Sequence, residues 1–304
     1  KRFEGELMRF GVMVPHWGES SSPESILTVA QLAETLGYES LWLGDHVAVP
    51  VSDQSAARER FYEAMTVLGY LAGVTSTIQL GTGVLIVPYR HPLLVASQLA
   101  TADRLSGGRV IFGGASGWLE GEFQALDIPF RNRGARTDEY LQAIKHLWTT
   151  PRPHTFEGRY VQFEDIKYAP QLYKEADPPP VWIGGNSRAA ATRAVKYGDA
   201  WFPLHITRER LAGRKAYLLE QCQQFGREKP PLIAMGSSAE FVERADAPQS
   251  YGFQGSAGQI VEELSAYSEA GLDYLVLDFP RASLKGLCAT MEMFADKVIP
   301  ALTG

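Results

Sequence analysis

The sequence predicts an α/β protein of the (β/α)8 barrel, or TIM barrel, class. Three observations carry that reading. Short apolar runs alternate with amphipathic helical segments, and counting gives eight strands and eight helices. The stretch from Gln79 to Phe123 holds a strand, a helix and a second strand in direct succession, and parallel neighbours need a crossover of that kind, nearly always right-handed. The 304 residues match one barrel of about 250 residues with an insertion. The expected organisation is a single barrel domain over residues 1–304, with 119–179 as a helix-plus-hairpin insertion near the active-site mouth.

Each element has a local reason. Arg9 to Pro15 is a buried apolar run ending in His16, Trp17 and Gly18. Ser22 is placed to cap a helix opened by Pro23, with Ile26, Val29, Ala33 and Leu36 on one face and Gly37 as its stop. Ser40 to Gly44 forms the second strand and runs into Asp45 and His46; a loop of about 15 residues leads to a helix over Phe61 to Gly73. Gly81 to Val87 is the third strand. A helix then opens on Pro92, buries Val95, Leu99, Ala102 and Leu105, and ends at Gly107 and Gly108; Val110 to Phe112 is the fourth strand.

The connection after Trp118 carries a helix over Ala135 to Trp148 and a hairpin, HTFEGRYVQFE, turning at Glu157 and Gly158. It has too few apolar positions for a core of its own, and Asp177 with three prolines ends it. The alternation resumes with Val181 to Ile183, a helix from Ser187 to Tyr197, Ala200 to Leu204, a helix over Thr207 to Phe225, and Leu232 to Met235. Ser256 with Gln259 has capping-box spacing for the next helix. Leu272 to Leu277 is the last strand, and Leu284, Leu287, Met291, Phe294 and Val298 line the last helix.

Composition excludes some functions. No apolar run approaches the roughly 20 residues that span a bilayer. A net charge of −6 without a long Lys/Arg tract lacks the footprint of nucleic-acid binding. Cys222 and Cys288 belong to no metal or redox spacing and read as reduced core residues, which fits a cytoplasmic setting. The first seven residues are polar with no signal-like apolar core; whether they are native stays open, Met8 being a candidate start.

In a barrel the active site lies at the carboxyl ends of the strands. That rule nominates His16, Trp17, Asp45, His46, Tyr89 to His91, Ser116 to Trp118, Gly184 to Ser187, His205, Ser237 and Asp278 to Arg281. His46, directly after a strand and beside Asp45, suits proton transfer near neutral pH. His91, before Pro92, reads as a helix cap. No histidine pair has metal-ligand spacing with a carboxylate, so no metal is expected. Gly184, Gly185, Asn186 and Ser187 precede a helix start, where free amides favour an anion, although a plain connection has the same pattern. Arg281 is either a charge beside that anion or a solvated surface group. Gly113, Gly114, Ser116, Gly117 and Trp118 lack the GxGxxG form and read as an open wall against which a ring can lie.

Longer segments carry a resemblance: SLWLGDH, LGTGVLIVPYRHPLLVASQLATADRLSGGRV, GGASGWLEGEFQALDIPFRNRGARTDEYLQAIKHLW, FEGRYVQF and PPPVWIGGNSRAAATRAVKYGDAWFP. Together they resemble the luciferase-like monooxygenase superfamily of flavin and deazaflavin oxidoreductases, from the second strand to the sixth, and are most similar to its coenzyme F420 branch. The resemblance implies a bulge with a non-prolyl cis peptide at Gly83 and Val84 backing the cofactor ring. It implies that His46 faces the reacting part of that ring, and that Gly184, Gly185, Asn186, Ser187 and His205 hold the cofactor phosphate. Relatives are commonly dimers, so a homodimer is expected. The chain departs from some F420 dehydrogenases at Trp118, where they carry a catalytic glutamate; Glu120 follows two residues later. The expected function is hydride transfer between F420 and a small organic substrate. The alternatives are an FMN-dependent monooxygenase and a non-catalytic flavin-binding protein.

Overall fold

The computed structural model describes residues 8–51, 60–168, 171–243 and 252–303. The polar start at 1–7 lies outside the described residues. In chain order the first elements are β1 (Arg9–Met13), α1 (Pro23–Thr35), β2 (Ser40–Leu43), α2 (Ala64–Val74), β3 (Gln79–Thr82) and β4 (Leu85–Ile86). A 3-10 turn, Val87–Tyr89, leads to α3 (Pro92–Ser106) and β5 (Val110–Ala115), then α4 (Glu120–Ala125), α5 (Arg133–Thr149) and the hairpin β6 (His154–Glu157) with β7 (Gln162–Ile166). There follow β8 (Val181–Gly184), α6 (Arg188–Tyr197), β9 (Ala200–Phe202), α7 (Arg208–Gln224), β10 (Leu232–Phe241), β11 (Phe253–Gly255), α8 (Ala257–Ala270), β12 (Tyr274–Asp278), α9 (Leu284–Lys297) and α10 (Ile299–Thr303). The parallel strands alternating with helices are those of a (β/α)8 barrel. The predicted third strand is split into β3 and β4 by a cis peptide between Gly83 and Val84, and β11 and α4 are elements that the sequence pattern did not announce.

By internal contacts the chain divides into two compact units. The first comprises Lys1–Pro15, Ser20–Trp42 and Trp182–Gly304. Its strands are parallel neighbours in the order β8, β9, β10, β12, β1, β2, with β11 beside the far end of β10. Inward residues fill its core: Phe294 packs edge-on against Phe10 and Phe279, and Trp42 lies against Trp182 and Phe202. A side chain at Gly11 would collide with Ser40 and Trp42, whose indole N–H donates to the Ser40 hydroxyl at 2.5 Å. Glycine is therefore required on β1 where it passes that bond of β2. Ser22 caps α1 in a reciprocal box with Ser25, and Ser256 does the same for α8 with Gln259, as its spacing predicts.

The second unit comprises His16–Glu19 and Leu43–Val181. Here β3 and β4 both pair in parallel with β5. The Arg109 guanidinium bonds the carbonyls of Ala72, Thr75, Ile78 and Ser106, so it satisfies the end of α2 and the start of β3 at once. The α3 stripe departs from expectation at Leu105, which is 66% exposed. Leu105 lies about 80° round the helix from Val95, whereas Ser106, at about 20°, takes the buried position. The predicted hairpin forms, and Glu139 of α5 holds its loop through the amides of Arg159, Tyr160 and Val161. Cys222 is buried and Cys288 half-buried, both as free thiols.

Phe294 has no exposed surface and three aromatic neighbours, Phe10, Phe241 and Phe279. A Phe294→Ala substitution is expected to lower stability by about 3–5 kcal/mol, read from urea unfolding; a loss below about 1 kcal/mol would contradict this packing.

Candidate active site

Four stretches of the second unit converge on His46. The ring follows β2 and is partly exposed, with 25% of the side chain accessible. Its Nδ1 lies 2.8 Å from Oε2 of Glu122, a residue of α4 with no exposed surface. The Tyr89 hydroxyl donates to the same oxygen at 3.0 Å, while Oε1 accepts the amides of Val47 at 2.8 Å and Ala48 at 3.1 Å. Phe61 and Trp118 flank the imidazole at ring separations of 5.5 and 6.4 Å, and Trp118 is 59% exposed. The result is a titratable ring open on one side and fixed on the other.

Burial pushes the Glu122 carboxyl up. The His46 hydrogen bond, the Val47 amide, the charge on His46 and the Ala48 amide together outweigh burial and hold the group below the ordinary glutamate range. Burial, then the charge and hydrogen bond of Glu122, raises the Tyr89 phenol, so the phenol stays protonated and acts as a donor.

The supporting frame is ionic. Asp45 is buried and accepts the Ile86 amide at 2.9 Å and a two-pronged Arg90 guanidinium at 2.7 and 2.8 Å. Arg90 also bonds Glu63 at 2.7 Å, and Glu63 caps α2 through Thr66. Phe61 is set by backbone pairing of its segment with residues 16–18: Gly18 donates to the Arg60 carbonyl and Tyr62 to that of His16. His16 is buried, with Nε2 2.9 Å from the Gly44 carbonyl, and Trp17 lies so close over Gly44 that a Cβ there would touch its ring at 2.6 Å.

The residues nominated for the cofactor ring fall in the same unit. The cis peptide implied by the resemblance is present at Gly83–Val84, and the Gly83 amide donates to the Leu43 carbonyl at 2.6 Å. Ser116 is half-buried. Gly117 has a φ of +77° and no room for a Cβ beside Ile86 and Phe123, and Arg133 of α5 fixes its carbonyl at 3.1 Å. Gly113 and Gly114, expected as an open wall, continue β5 and are buried. Glu120 is exposed; the acid that reaches His46 is Glu122.

Glu122 is the residue that sequence reasoning missed. It left a readable signal. Leu119, Glu122, Phe123 and Leu126 share the apolar face of a helical turn, and a carboxylate on such a face requires donors. His91 caps α3, its Nδ1 accepting the Leu93 amide at 3.3 Å.

The first unit holds the residues nominated for phosphate. Gly184 ends β8, and Gly185 adopts a φ of +118°. Asn186 is tied to Leu204 in both directions, Nδ2 to the carbonyl at 2.7 Å and the amide to Oδ1 at 2.8 Å. Ser187 caps α6 through the Ala190 amide. His205, at φ +47°, places Nδ1 3.2 Å from the Ser237 hydroxyl; burial lowers its pKa against an opposing pull from Asp278. Arg281 is no solvated surface group, since it is ion-paired with Asp278 at 2.5 Å and only 11% of its side chain is exposed. Among the described residues no group of three or more His, Cys, Asp or Glu is arranged to hold a metal ion, and no described helix is long and apolar enough to cross a membrane.

The strand–helix alternation, with polar and glycine-rich residues at the strand ends, defines an α/β barrel. The full-length match to solved structures agrees: an F420-dependent secondary alcohol dehydrogenase superposes with a TM-score of 0.84 at 18% identity, over 97% of this chain and 99% of that one. The oxygenating constituent of 3,6-diketocamphane monooxygenase from Pseudomonas putida, in complex with FMN, superposes at 0.78 and 14% identity, over 97% and 98%. Residues 8–247 match the luciferase-like monooxygenase family model, and the chain belongs to that family.

Two of its curated relatives differ in cofactor. An F420-dependent hydroxymycolic acid dehydrogenase from Mycobacterium tuberculosis is 33% identical over 63% of this chain and 51% of that protein. An FMNH2-dependent dimethylsulfone monooxygenase from Pseudomonas putida is 33% identical over 46% of this chain and 39% of that protein. The oxygenase component of a flavin-dependent trigonelline monooxygenase from Acinetobacter baylyi is 27% identical over 70% and 57%. The chain thus spans about half the length of these relatives.

A carboxyl held low in the fold contributes stability above its unfolded pKa of about 4.3 and loses that contribution as pH falls through the folded value. The stability gap between wild type and Glu122→Gln is therefore expected to narrow as pH drops from about 5 to about 2. Denaturant midpoints across that range measure it, and parallel profiles would contradict the assignment.

Proposed function

We propose that this chain is an oxidoreductase that binds coenzyme F420 and transfers a hydride between it and a small organic substrate. The observation that carries the reading is His46, partly exposed, held on Glu122 at 2.8 Å and flanked by Phe61 and the exposed Trp118. That arrangement suits a proton relay beside a flat ring, and the F420-dependent relative at 33% identity supports the choice of ring. The bound cofactor would supply the hydride acceptor or donor, since a deazaflavin ring is confined largely to hydride chemistry.

In this reading His46 takes or gives the substrate proton. Gly83, Val84, Ser116, Gly117 and Trp118 back the ring, and the 119–179 segment shapes the substrate pocket. For the phosphate, the amides of Arg188 and Ala189 at the start of α6 have no carbonyl one turn earlier to bond, that of Ala190 being capped by Ser187, and a side chain at Gly185 would crowd Ala190. The donor chemistry of Gly184 to Ser187 and His205 fits an anion.

A second reading, an FMN-dependent monooxygenase, is favoured by the dimethylsulfone monooxygenase at 33% identity. Titrating the purified protein with each cofactor, followed by absorbance and fluorescence, separates the two. Saturable F420 binding is expected; tight FMN binding with none of F420 overturns the first reading. Binding without turnover across alcohols, imines, enones and nitro compounds would mark a non-catalytic flavin-binding protein. With turnover in hand, His46→Ala is expected to lower kcat by about 100-fold or more with little change in cofactor Kd, and an unchanged kcat would remove His46 from the chemistry.

A further inference from the structure

We infer that Glu122 is a positioning residue that keeps a proton on Nδ1 of His46, so that Nε2 is the nitrogen that exchanges a proton with substrate. The inference rests on the oxidoreductase reading for its consequence, but its geometry stands alone. An ionised carboxylate only accepts hydrogen bonds. Both Glu122 oxygens are engaged: Oε1 by the amides of Val47 and Ala48, Oε2 by the Tyr89 hydroxyl and His46 Nδ1. The two amides are fixed donors and prevent the carboxylate from turning. Whatever faces Oε2 must therefore donate, so Nδ1 carries hydrogen whether the ring is neutral or charged. In the neutral ring this leaves Nε2 with the lone pair; after it accepts a proton, Nε2 becomes the donor.

The surrounding charges do not compete for this bond. Asp45 is saturated by Arg90 and the Ile86 amide, and Glu63 by Arg90 and Thr66. Among the described residues the aromatic neighbours of the imidazole are Phe61 and Trp118. Glu122 thus acts through His46, and no direct contact with substrate is assigned to it.

The same geometry dictates what an isosteric amide does. In Glu122→Gln the amides of Val47 and Ala48 retain the side-chain oxygen at the Oε1 position. The NH2 group is then turned toward His46, where it donates to Nδ1 and moves the ring proton to Nε2. The nitrogen that should accept the substrate proton is thereby blocked.

The experiment is 15N NMR of histidine-labelled protein without cofactor, with the His46 signals identified by their loss in His46→Ala, alongside kinetics of the same variants. Wild type is expected to show Nδ1 protonated and Nε2 bare in the neutral ring, Glu122→Gln the inverse, and Tyr89→Phe the wild-type form. Turnover in Glu122→Gln is expected to fall about 100-fold in kcat, with KM and cofactor Kd changed less than about threefold. A wild-type ring protonated on Nε2, or a Gln variant with an unchanged tautomer, overturns the inference. So does an inverted tautomer with undiminished kcat. The NMR arm decides the positioning by itself, and absence of wild-type turnover with F420 and with FMN counts against the oxidoreductase reading only.

Discussion

A carboxylate removed from water needs donors on all sides, because the uncompensated cost of burying it is several kcal/mol. Glu122 meets that requirement only if three stretches of chain arrive together: the turn after β2 with His46, Val47 and Ala48, the 3-10 turn with Tyr89, and α4 itself. None of the three can move alone without leaving a buried charge short of a partner. The partly exposed histidine inherits its fixed orientation from this constraint. The fixed orientation of the imidazole is here a consequence of charge burial.

A second, separate set of charges supports the first. Asp45 links β4 to Arg90, Arg90 reaches Glu63, and Glu63 opens α2. These bonds fix Asp45 beside His46 and Ile86 and Arg90 around Tyr89, while the paired segments 16–18 and 60–62 carry Phe61 to the imidazole. Aromatic packing completes the support, since Tyr89, Phe123 and Ile86 form one buried cluster under Val84 and Phe130. The polar network and the apolar cluster share Tyr89: its ring packs in the cluster and its hydroxyl bonds Glu122.

Glycine does its work at two places in this scheme. Gly117 has a left-handed φ and no space for a side chain next to Phe123, which lets the strand end turn sharply before Trp118. Gly44 lets the Trp17 ring lie directly on the backbone that leads into Asp45 and His46. In the other unit, Asn186 and Ser187 spend their side chains on Leu204 and on the start of α6.

The sequence by itself determined the barrel class, the principal strands, most helix boundaries and the place of His46. Those follow from local rules: apolar periodicity, Pro23 and Pro92 at helix starts, Gly37 and Gly107 at helix ends, and serine caps whose partners lie three residues away. Leu105 departs from the apolar face because steps of three and four residues drift in angle along the helix, and Ser106 takes the buried position. Only the tertiary structure decided that Glu122 serves His46, because the two are 76 positions apart and meet through folding, not spacing. The same holds for Asp45 with Arg90, 45 positions apart. The acidic residue on an apolar face was visible in the sequence, but its partners belong to other strand ends, and a one-dimensional pattern carries no record of which ends converge.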